Sequence, residues 1–133
     1  MNDVRKSSRR PELVWRSLIW CVCLAVWTTV LLTTFPVQIG EKVLSPGLHF
    51  PTAKALHVSA YAFLAALITW LPIRTSRRWL VLAFLSFHGF ATEYLQQFVP
   101  RRVGSWRDVA LDHLGIVLGL ALTWRGWLGR PRP

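Results

Sequence analysis

Four runs of apolar residues divide this chain, and each is long enough, or nearly long enough, to cross a bilayer as a helix. A helix needs about 20 residues to cross the hydrocarbon, and about 17 suffice where the bilayer thins or flanking side chains reach the interface. The alternating strands of about 9 to 11 residues that a membrane barrel needs are not seen. The pattern predicts an all-α integral membrane protein, a four-helix bundle. The runs extend over residues 18–35, 56–72, 79–98 and 109–124.

The positive charges are distributed unevenly between the segments that separate these runs. With a cytoplasmic N-terminus, eleven Lys and Arg residues lie on the cytoplasmic side and five on the other side. Basic residues are enriched on the cytoplasmic side of membranes, so both termini are predicted to be cytoplasmic. Tryptophans fall at the predicted inner ends of the runs, where an aromatic belt would lie, namely Trp15, Trp70, Trp79, Trp124 and Trp127.

The composition fits one small membrane domain. The 133 residues are 53% hydrophobic and 17% charged, with a formal net charge of +10. Such a charge can indicate nucleic-acid binding, but the basic residues lie at the chain ends and in short gaps, so no nucleic-acid partner is predicted. We expect a basic cytoplasmic tail over residues 1–12, a transmembrane domain over 13–124 and a second basic cytoplasmic tail over 125–133.

The connections between the runs differ in length. The segment 36–54 is rich in proline and glycine and is expected to be an outer loop, whereas the other two connections are short turns between antiparallel helices. Arg74, Arg77 and Arg78 in the inner turn are assigned to topology alone. The pair Arg9 and Arg10 before the first run resembles a twin-arginine export signal, but no small-x-small cleavage site precedes residue 36, which favours a retained helix.

Polar side chains occur on one face of each of the last three predicted helices, near the same, outer end. Helical spacing of three, four or seven residues brings the members of each set onto one face. The sets are Lys54, His57 and Tyr61 on the second run; Glu93, Gln96 and Gln97 on the third; and Asp108, Asp112, Gly115 and Gly119 on the fourth. The three polar faces are therefore predicted to meet at one end of the bundle.

Two acidic residues inside apolar runs point to a functional site. A carboxylate near the bilayer centre costs about 2.5–3.5 kcal/mol on insertion scales, so Glu93 and Asp112 are predicted to turn inward toward partners. Basic candidates for those partners are Lys54, His57, Arg101 and Arg102. Because basic residues are disfavoured on the outer side and arginine suits phosphate and carboxylate, Arg101 and Arg102 suggest an anionic ligand. Pairing with the protein's own acids or with surface lipids is the alternative.

Other polar or small residues have simpler interpretations. His88, alone near the middle of its helix, is expected to be a hydrogen-bonded packing residue, whereas His113 is left open between packing and function. Gly115 and Gly119 form a G-x-x-x-G pattern, which is typical of two membrane helices that approach closely. No H-x-x-x-H or comparable ligand spacing occurs, so no metal or other cofactor is predicted.

The stretches "KALHVSAY" and "EYLQQFVPRRVGSWRDVALDHLGIVLG" resemble the VanZ-like family of small bacterial membrane proteins. The similarity covers about residues 54–119, in the order K-x-x-H-x-x-x-Y, E-x-x-Q-x-F, P-x-R and D followed seven residues later by G. Asn is common in the family where this chain has Asp112, and Gly where it has Arg101. Family positions carried over to this chain are Lys54, His57, Tyr61, Glu93, Gln96, Arg102, Asp108 and Gly115.

The resemblance implies a multi-pass protein of the bacterial inner membrane that acts in the cell envelope, since the family is named for a member associated with resistance to teicoplanin-type glycopeptides. Together with the polar faces, it suggests an outward-facing pocket for the head group of an anionic lipid or lipid-linked cell-wall precursor. The chain is compatible with an oligomer.

Two kinds of function fit such a pocket. As a lipid-phosphate hydrolase or transferase, His57 and Glu93 would share acid and base work, and Lys54 and Arg102 would offset phosphate charge. Asp108 and Asp112 would orient these groups or hold a divalent cation, with direct basic contacts favoured over a metal. The alternative is a non-catalytic scaffold, or a module that binds lipid or antibiotic. A proton-coupled transporter is less favoured, because the charges gather at one end of the bundle.

Overall fold

The computed structural model describes the backbone over residues 2–128 and the side chains over residues 11–127. This part of the chain is all-helical, with 83% of residues in helices and no strand, as predicted. The predicted tails fall partly outside it, namely at residue 1 and residues 129–133. The helices are α1 (Asn2–Leu32), α2 (Phe35–Val43), α3 (Pro46–Ile68), α4 (Thr75–Gln96), α5 (Trp106–Leu122) and α6 (Trp124–Leu128).

The four long helices α1, α3, α4 and α5 correspond to the four apolar runs. The prediction of a loop over residues 36–54 was wrong, because α2 and the first turns of α3 occupy this segment. Pro46 is the first residue of α3, and Pro36 is the second residue of α2. Proline is well suited to these positions, since the amide hydrogen that it lacks would have no partner inside the helix there. These prolines mark helix starts, although they were interpreted as loop residues.

Helices α3 and α5 share the most extensive interface in the described structure, and glycine makes it possible. A Cβ atom on Gly115 would collide with the carbonyl oxygen of Val58 and lie 3.0 Å from the Cβ of Tyr61. A Cβ on Gly119 would collide with the carbonyl oxygen of Ala62 in the same way. The close helix approach predicted from the G-x-x-x-G pattern is confirmed, and it fixes α5 against the polar face of α3.

Replacing Gly115 with Ala should therefore force α3 and α5 apart. We expect the variant to lose about 1–3 kcal/mol of unfolding free energy, the usual cost of overpacking. Thermal or SDS-induced unfolding in detergent micelles measures the loss. Gly47→Ala is the matched control, because nothing lies within 4 Å of a Cβ at that position. Equal stability of the two variants would contradict the proposed role of Gly115.

Apolar side chains cover much of the outer surface, whereas polar ones lie inside. Leu18 and Val22 on α1 are each 59% exposed, and Leu80 on α4 is 70% exposed. In contrast, Glu93 and Asp112 are 3% and 0% exposed. Two stretches, Pro11–Leu32 and Pro46–Ile68, are long and apolar enough to cross a membrane. This distribution is the reverse of the one that a water-soluble domain usually has.

Arg78 has a structural role that its assignment to topology missed. Its side chain is buried, with Nη1 donating to the carbonyl oxygen of Gly126 at 2.7 Å and Nη2 to that of Thr69 at 3.1 Å. Carbonyl groups at the end of a helix lack partners within the helix, and Arg78 supplies them at the end of α3. This arginine therefore joins α3, α4 and the chain around α6.

Four of the five tryptophans predicted at the inner ends of the helices pack against one another in pairs. The ring centroids of Trp15 and Trp70 lie 4.9 Å apart, and so do those of Trp79 and Trp127. Each pair joins two segments that are distant in sequence. The end of the bundle that carries Arg78 is thus held by aromatic packing, and the acidic cluster lies elsewhere.

Candidate functional site

His57, Glu93 and Asp112 meet in the interior, each from a different helix. His57 Nδ1 on α3 lies 2.8 Å from Asp112 Oδ1 on α5 and 3.7 Å from Glu93 Oε1 on α4. All three residues are buried, with exposures of 6%, 3% and 0% for His57, Glu93 and Asp112. The structure thus brings together three of the four candidate catalytic residues, namely the two proposed acid–base groups and Asp112, which was proposed to orient them. We call them the buried triad.

A glycine on α4 makes room for the acid of α5. A Cβ on Gly89 would lie 3.3 Å from Asp112 Oδ2 and 3.6 Å from the hydroxyl of Tyr61. Among the described residues, Asp112 Oδ2 has no hydrogen-bond partner. Sequence reasoning missed Gly89, although its position four residues before Glu93 places both on one face of α4. The Asp112 carboxylate therefore fits between α4 and α5, and its Oδ2 forms no hydrogen bond with the described residues.

The connection between α4 and α5 closes over Glu93. The backbone amide of Ser105 donates to Glu93 Oε2 at 3.0 Å. Gly104 packs so closely on α4 that a Cβ there would collide with the carbonyl oxygen of Glu93. Ser105 also caps α5, since its Oγ accepts from the amide of Asp108 at 3.2 Å. Gly104 and Ser105 were not predicted site residues; the S-x-x-D spacing typical of a helix start was the available signal.

Lys54 and Asp108 form an ion pair beside the triad. Lys54 Nζ donates to Asp108 Oδ1, and the two side chains are 24% and 8% exposed. The ammonium group also lies 5.0 Å from the ring centroid of Phe50. The structure therefore uses Lys54 to neutralise Asp108, in place of the phosphate contact that the sequence suggested.

Tyr61 belongs to a hydrogen-bonded chain that joins three helices. Its hydroxyl lies 3.0 Å from His88 Nδ1 and 3.4 Å from Thr92 Oγ1, and His88 Nε2 lies 2.8 Å from Thr28 Oγ1. His88 is thus the hydrogen-bonded packing residue that was expected. The same bonds give Tyr61 a part in holding α1, α3 and α4 together.

His113 is bonded away from the triad. Its Nδ1 donates to the carbonyl oxygen of Val109 at 2.8 Å, and its Nε2 lies 2.7 Å from Ser86 Oγ. Because a carbonyl oxygen only accepts, Nδ1 carries the hydrogen and Nε2 of the neutral ring accepts from the serine. Both ring nitrogens are therefore occupied, which favours packing for His113.

Arg101 and Arg102, adjacent in sequence, have different surroundings. Arg101 Nη2 donates to the Glu41 carboxylate at 2.6 Å on the exposed surface, outside the triad. Its φ of 64° is in the left-handed region that favours glycine, the residue that the VanZ-like pattern often has there. Arg102 Nη2 donates to the carbonyl oxygens of Val30 and Thr33, at the end of α1, at 2.7 and 3.1 Å.

A cavity of about 400 Å³ lies between α1, α2 and α3, and Arg102 and His57 are among its lining residues. Most of the wall is apolar, and Trp27 lies edge-on to His57 with 5.7 Å between ring centroids. Burial lowers the pKa of Arg102, because its guanidinium has lost water, and the Glu93 carboxylate acts in the opposite direction. A ligand in this cavity would meet an apolar wall, a cation and the imidazole of the triad.

A second cavity, of about 240 Å³, lies next to the connection between α4 and α5. Glu93 lines it, together with Phe90, Gly104, Ser105 and Trp106. Gln96, another predicted ligand residue, is buried near Glu93 in sequence, and its Nε2 has no hydrogen-bond partner in the described part of the chain. Two residues of the triad therefore border cavities, His57 the first and Glu93 the second.

Comparisons with models of protein families, with curated proteins and with solved structures gave no match. The function of the chain is therefore inferred from the geometry of the site and from the motifs in residues 54–119.

Proposed function

We propose that the chain is a VanZ-like, multi-pass protein of the bacterial inner membrane, in which α1, α3, α4 and α5 cross the bilayer and both termini are cytoplasmic. Two spans of sufficient length and apolarity, the apolar outer surface and the excess of basic residues on one side support this arrangement. Burial of the carboxylates supports it too, because charged groups in membrane helices turn toward the protein interior.

In this proposal the cavity beside His57 binds the head group of an anionic lipid or a lipid-linked cell-wall precursor. An apolar wall suits a hydrocarbon chain, and Arg102 suits a phosphate, since guanidinium donors match phosphate oxygens. Two of its donor atoms, Nε and Nη2, bond to the carbonyl oxygens of Thr33 and Val30 at the end of α1, which fixes the guanidinium plane at the cavity. The remaining nitrogen of Arg102, Nη1, has no hydrogen-bond partner among the described residues, and we propose that it contacts the anion.

The observation that carries the proposal is the His57–Asp112 pair at the wall of the cavity that Arg102 also lines. The Asp112 carboxylate accepts the hydrogen of His57 Nδ1, which leaves Nε2 as the nitrogen able to accept a proton. A carboxylate that orients an imidazole in this way is the arrangement of general bases in hydrolases. We therefore propose hydrolysis or transfer of a lipid phosphate, with His57 moving the proton and Arg102 stabilising the charge on phosphate.

The binding step is tested by replacing Arg102 with Gln in protein held in nanodiscs. Loss of a charge-assisted hydrogen bond, worth about 1.5–3 kcal/mol, should weaken binding of an undecaprenyl phosphate or of phosphatidylglycerol by about 10- to 100-fold. Arg107→Gln is the control. Arg107 lies five residues after Arg102, but its side chain is exposed and lines neither cavity. Equal affinity of both variants and the native protein would exclude Arg102 as the anion site.

A second candidate function, a non-catalytic membrane scaffold or a module that binds lipid or antibiotic, is favoured by one observation. Lys54 is paired with Asp108, and Arg102 bonds to the end of α1, so both cations already stabilise the fold. Incubation of the purified protein with defined phospholipids and undecaprenyl phosphates separates the two functions. Products formed by the native protein and absent with Glu93→Gln support the enzyme, whereas unchanged lipids across the panel support the scaffold. A link to glycopeptide resistance would then be tested in cells.

A further inference from the structure

No basic side chain pairs with the two carboxylates of the buried triad in the described part of the chain. Within the described residues, no lysine or arginine nitrogen lies within 4.0 Å of the carboxylates of Glu93 or Asp112. The nearest ammonium in the sequence motif, that of Lys54, pairs with Asp108. Isolated ionised carboxylates are costly to bury, so either protons or a bound cation must offset this charge.

The orientation of the acidic oxygens favours a cation. Glu93 Oε1 and Asp112 Oδ2 are both buried and have no hydrogen-bond partner in the described part of the chain. One nitrogen of His57 and one oxygen from each acid lie within 4.8 Å of one another. These are three potential ligand atoms from three helices, and each helix is held in place by contacts outside the triad.

We propose that His57, Glu93 and Asp112 bind a divalent transition-metal ion, Zn²⁺ or Mn²⁺. Imidazole suits Zn²⁺, and carboxylate oxygens suit both ions. The three ligand atoms now lie within 4.8 Å of one another, and metal–ligand distances of about 2.0–2.2 Å require them to rearrange around the ion. Three protein ligands leave a further coordination position for water or a ligand oxygen, as in catalytic zinc sites.

The sequence suggested a divalent cation only as the less favoured role of Asp108 and Asp112, and it did not suggest this set of ligands. A pattern such as H-x-x-x-H places two ligands on one helix, whereas here each ligand comes from a different helix. The expectation of no metal followed from the absence of that local spacing, which bears only on sites built within one helix.

This site coincides with the one in the proposed function, but metal binding does not require that function. Metal binding would replace the base role of His57 in the proposed function: with an ion on Nδ1, the other nitrogen, Nε2, carries the hydrogen and can only donate, for example to an anionic oxygen in the cavity that Arg102 lines. Metal titration without lipid tests the ion alone, and the lipid incubation described above tests the substrate alone. If no metal binds, the proposed lipid function is unaffected, and if no lipid is converted, the proposed metal site is unaffected.

The experiment is titration of the full chain, purified in detergent with a histidine-free tag and stripped with a chelator, with ZnCl₂ or MnCl₂. We expect one ion per chain at micromolar free metal. Glu93→Gln and His57→Ala should weaken binding by at least the roughly 10- to 100-fold that loss of an outer-shell partner costs a metal site. His113→Gln is the matched control, because His113 bonds to Ser86 and Val109 and should leave the stoichiometry unchanged.

The visible absorption of Co²⁺ provides a test in the native protein, which remains valid if a triad variant fails to fold. Saturation at one Co²⁺ per chain, reversed by Zn²⁺, supports the site. The proposal is overturned if the native protein binds no ion stoichiometrically, or if folded Glu93→Gln and His57→Ala variants bind as tightly as it does. In that case protons neutralise the triad.

Discussion

Lys54→Met is expected to lower the unfolding free energy by about 3–5 kcal/mol, because it leaves Asp108 as a buried charge without a partner. The Asp108 side chain is 8% exposed and that of Lys54 24%, so solvent screens this pair little. Thermal or SDS-induced unfolding of the purified protein in micelles, followed by circular dichroism, measures the loss. This is the largest effect on stability that we expect from a single substitution in the site.

The double variant Lys54→Met with Asp108→Leu should recover most of that stability, because replacing both members of a buried ion pair by apolar groups is often nearly neutral. The two single variants and the double variant complete a thermodynamic cycle that isolates the interaction between the two side chains. If Lys54→Met lowers only the affinity for anionic lipid, and stability is unchanged, then Lys54 is a ligand residue as the sequence suggested. Its pairing with Asp108 would in that event contribute nothing measurable.

Helical periodicity explains why so much of the site was predictable. Apolar runs gave the four long helices, and the spacing of Lys54, His57 and Tyr61 placed these residues on one face of α3. The same argument placed Glu93 on α4 and Asp112 on α5. Because an ionisable group in an apolar helix must face inward, the meeting of these faces followed from the cost of exposing them to lipid.

Pairing between helices was not predictable in the same way. Periodicity assigns a residue to a face, but the choice between partners on other faces depends on distances that only the packed helices fix. Lys54 and Asp108 are 54 residues apart, and Glu93 and Asp112 were equally plausible partners for Lys54. Arg101 illustrates the same limit, because a positive φ turns it toward Glu41 while its neighbour Arg102 faces α1.

The residues that the sequence did not identify act through the space that they leave or through backbone groups. Gly89 and Gly104 act by leaving space, and their importance appears only when the atoms that fill that space are known. Ser105 acts through a backbone amide that any residue except proline would carry, so its side chain gave no sign of the contact with Glu93. Arg78 was taken as a topology charge because the carbonyl groups that bind it lie on other segments.

His57→Gln should lower turnover of a lipid phosphate by about 10²- to 10⁴-fold, the range that general acid–base catalysis usually contributes. Glutamine retains a polar side chain able to bond to Asp112, but it cannot accept a proton near neutral pH. Binding of the same lipid, measured in nanodiscs without turnover, should change much less, because Arg102 supplies the cationic contact in the cavity.

Comparing the effect of His57→Gln on turnover with its effect on binding shows whether His57 acts as an acid–base group or as a packing residue. His113→Gln is the control, because this histidine is bonded on both nitrogens away from the triad, and its loss should leave turnover within a few fold of the native rate. A purely structural His57 would lower turnover and binding together, in proportion to the folded fraction. If turnover persists in a folded His57→Gln variant, the proton must move through Glu93, which lines the second cavity, and the direction from which the substrate enters must be reassigned to that side.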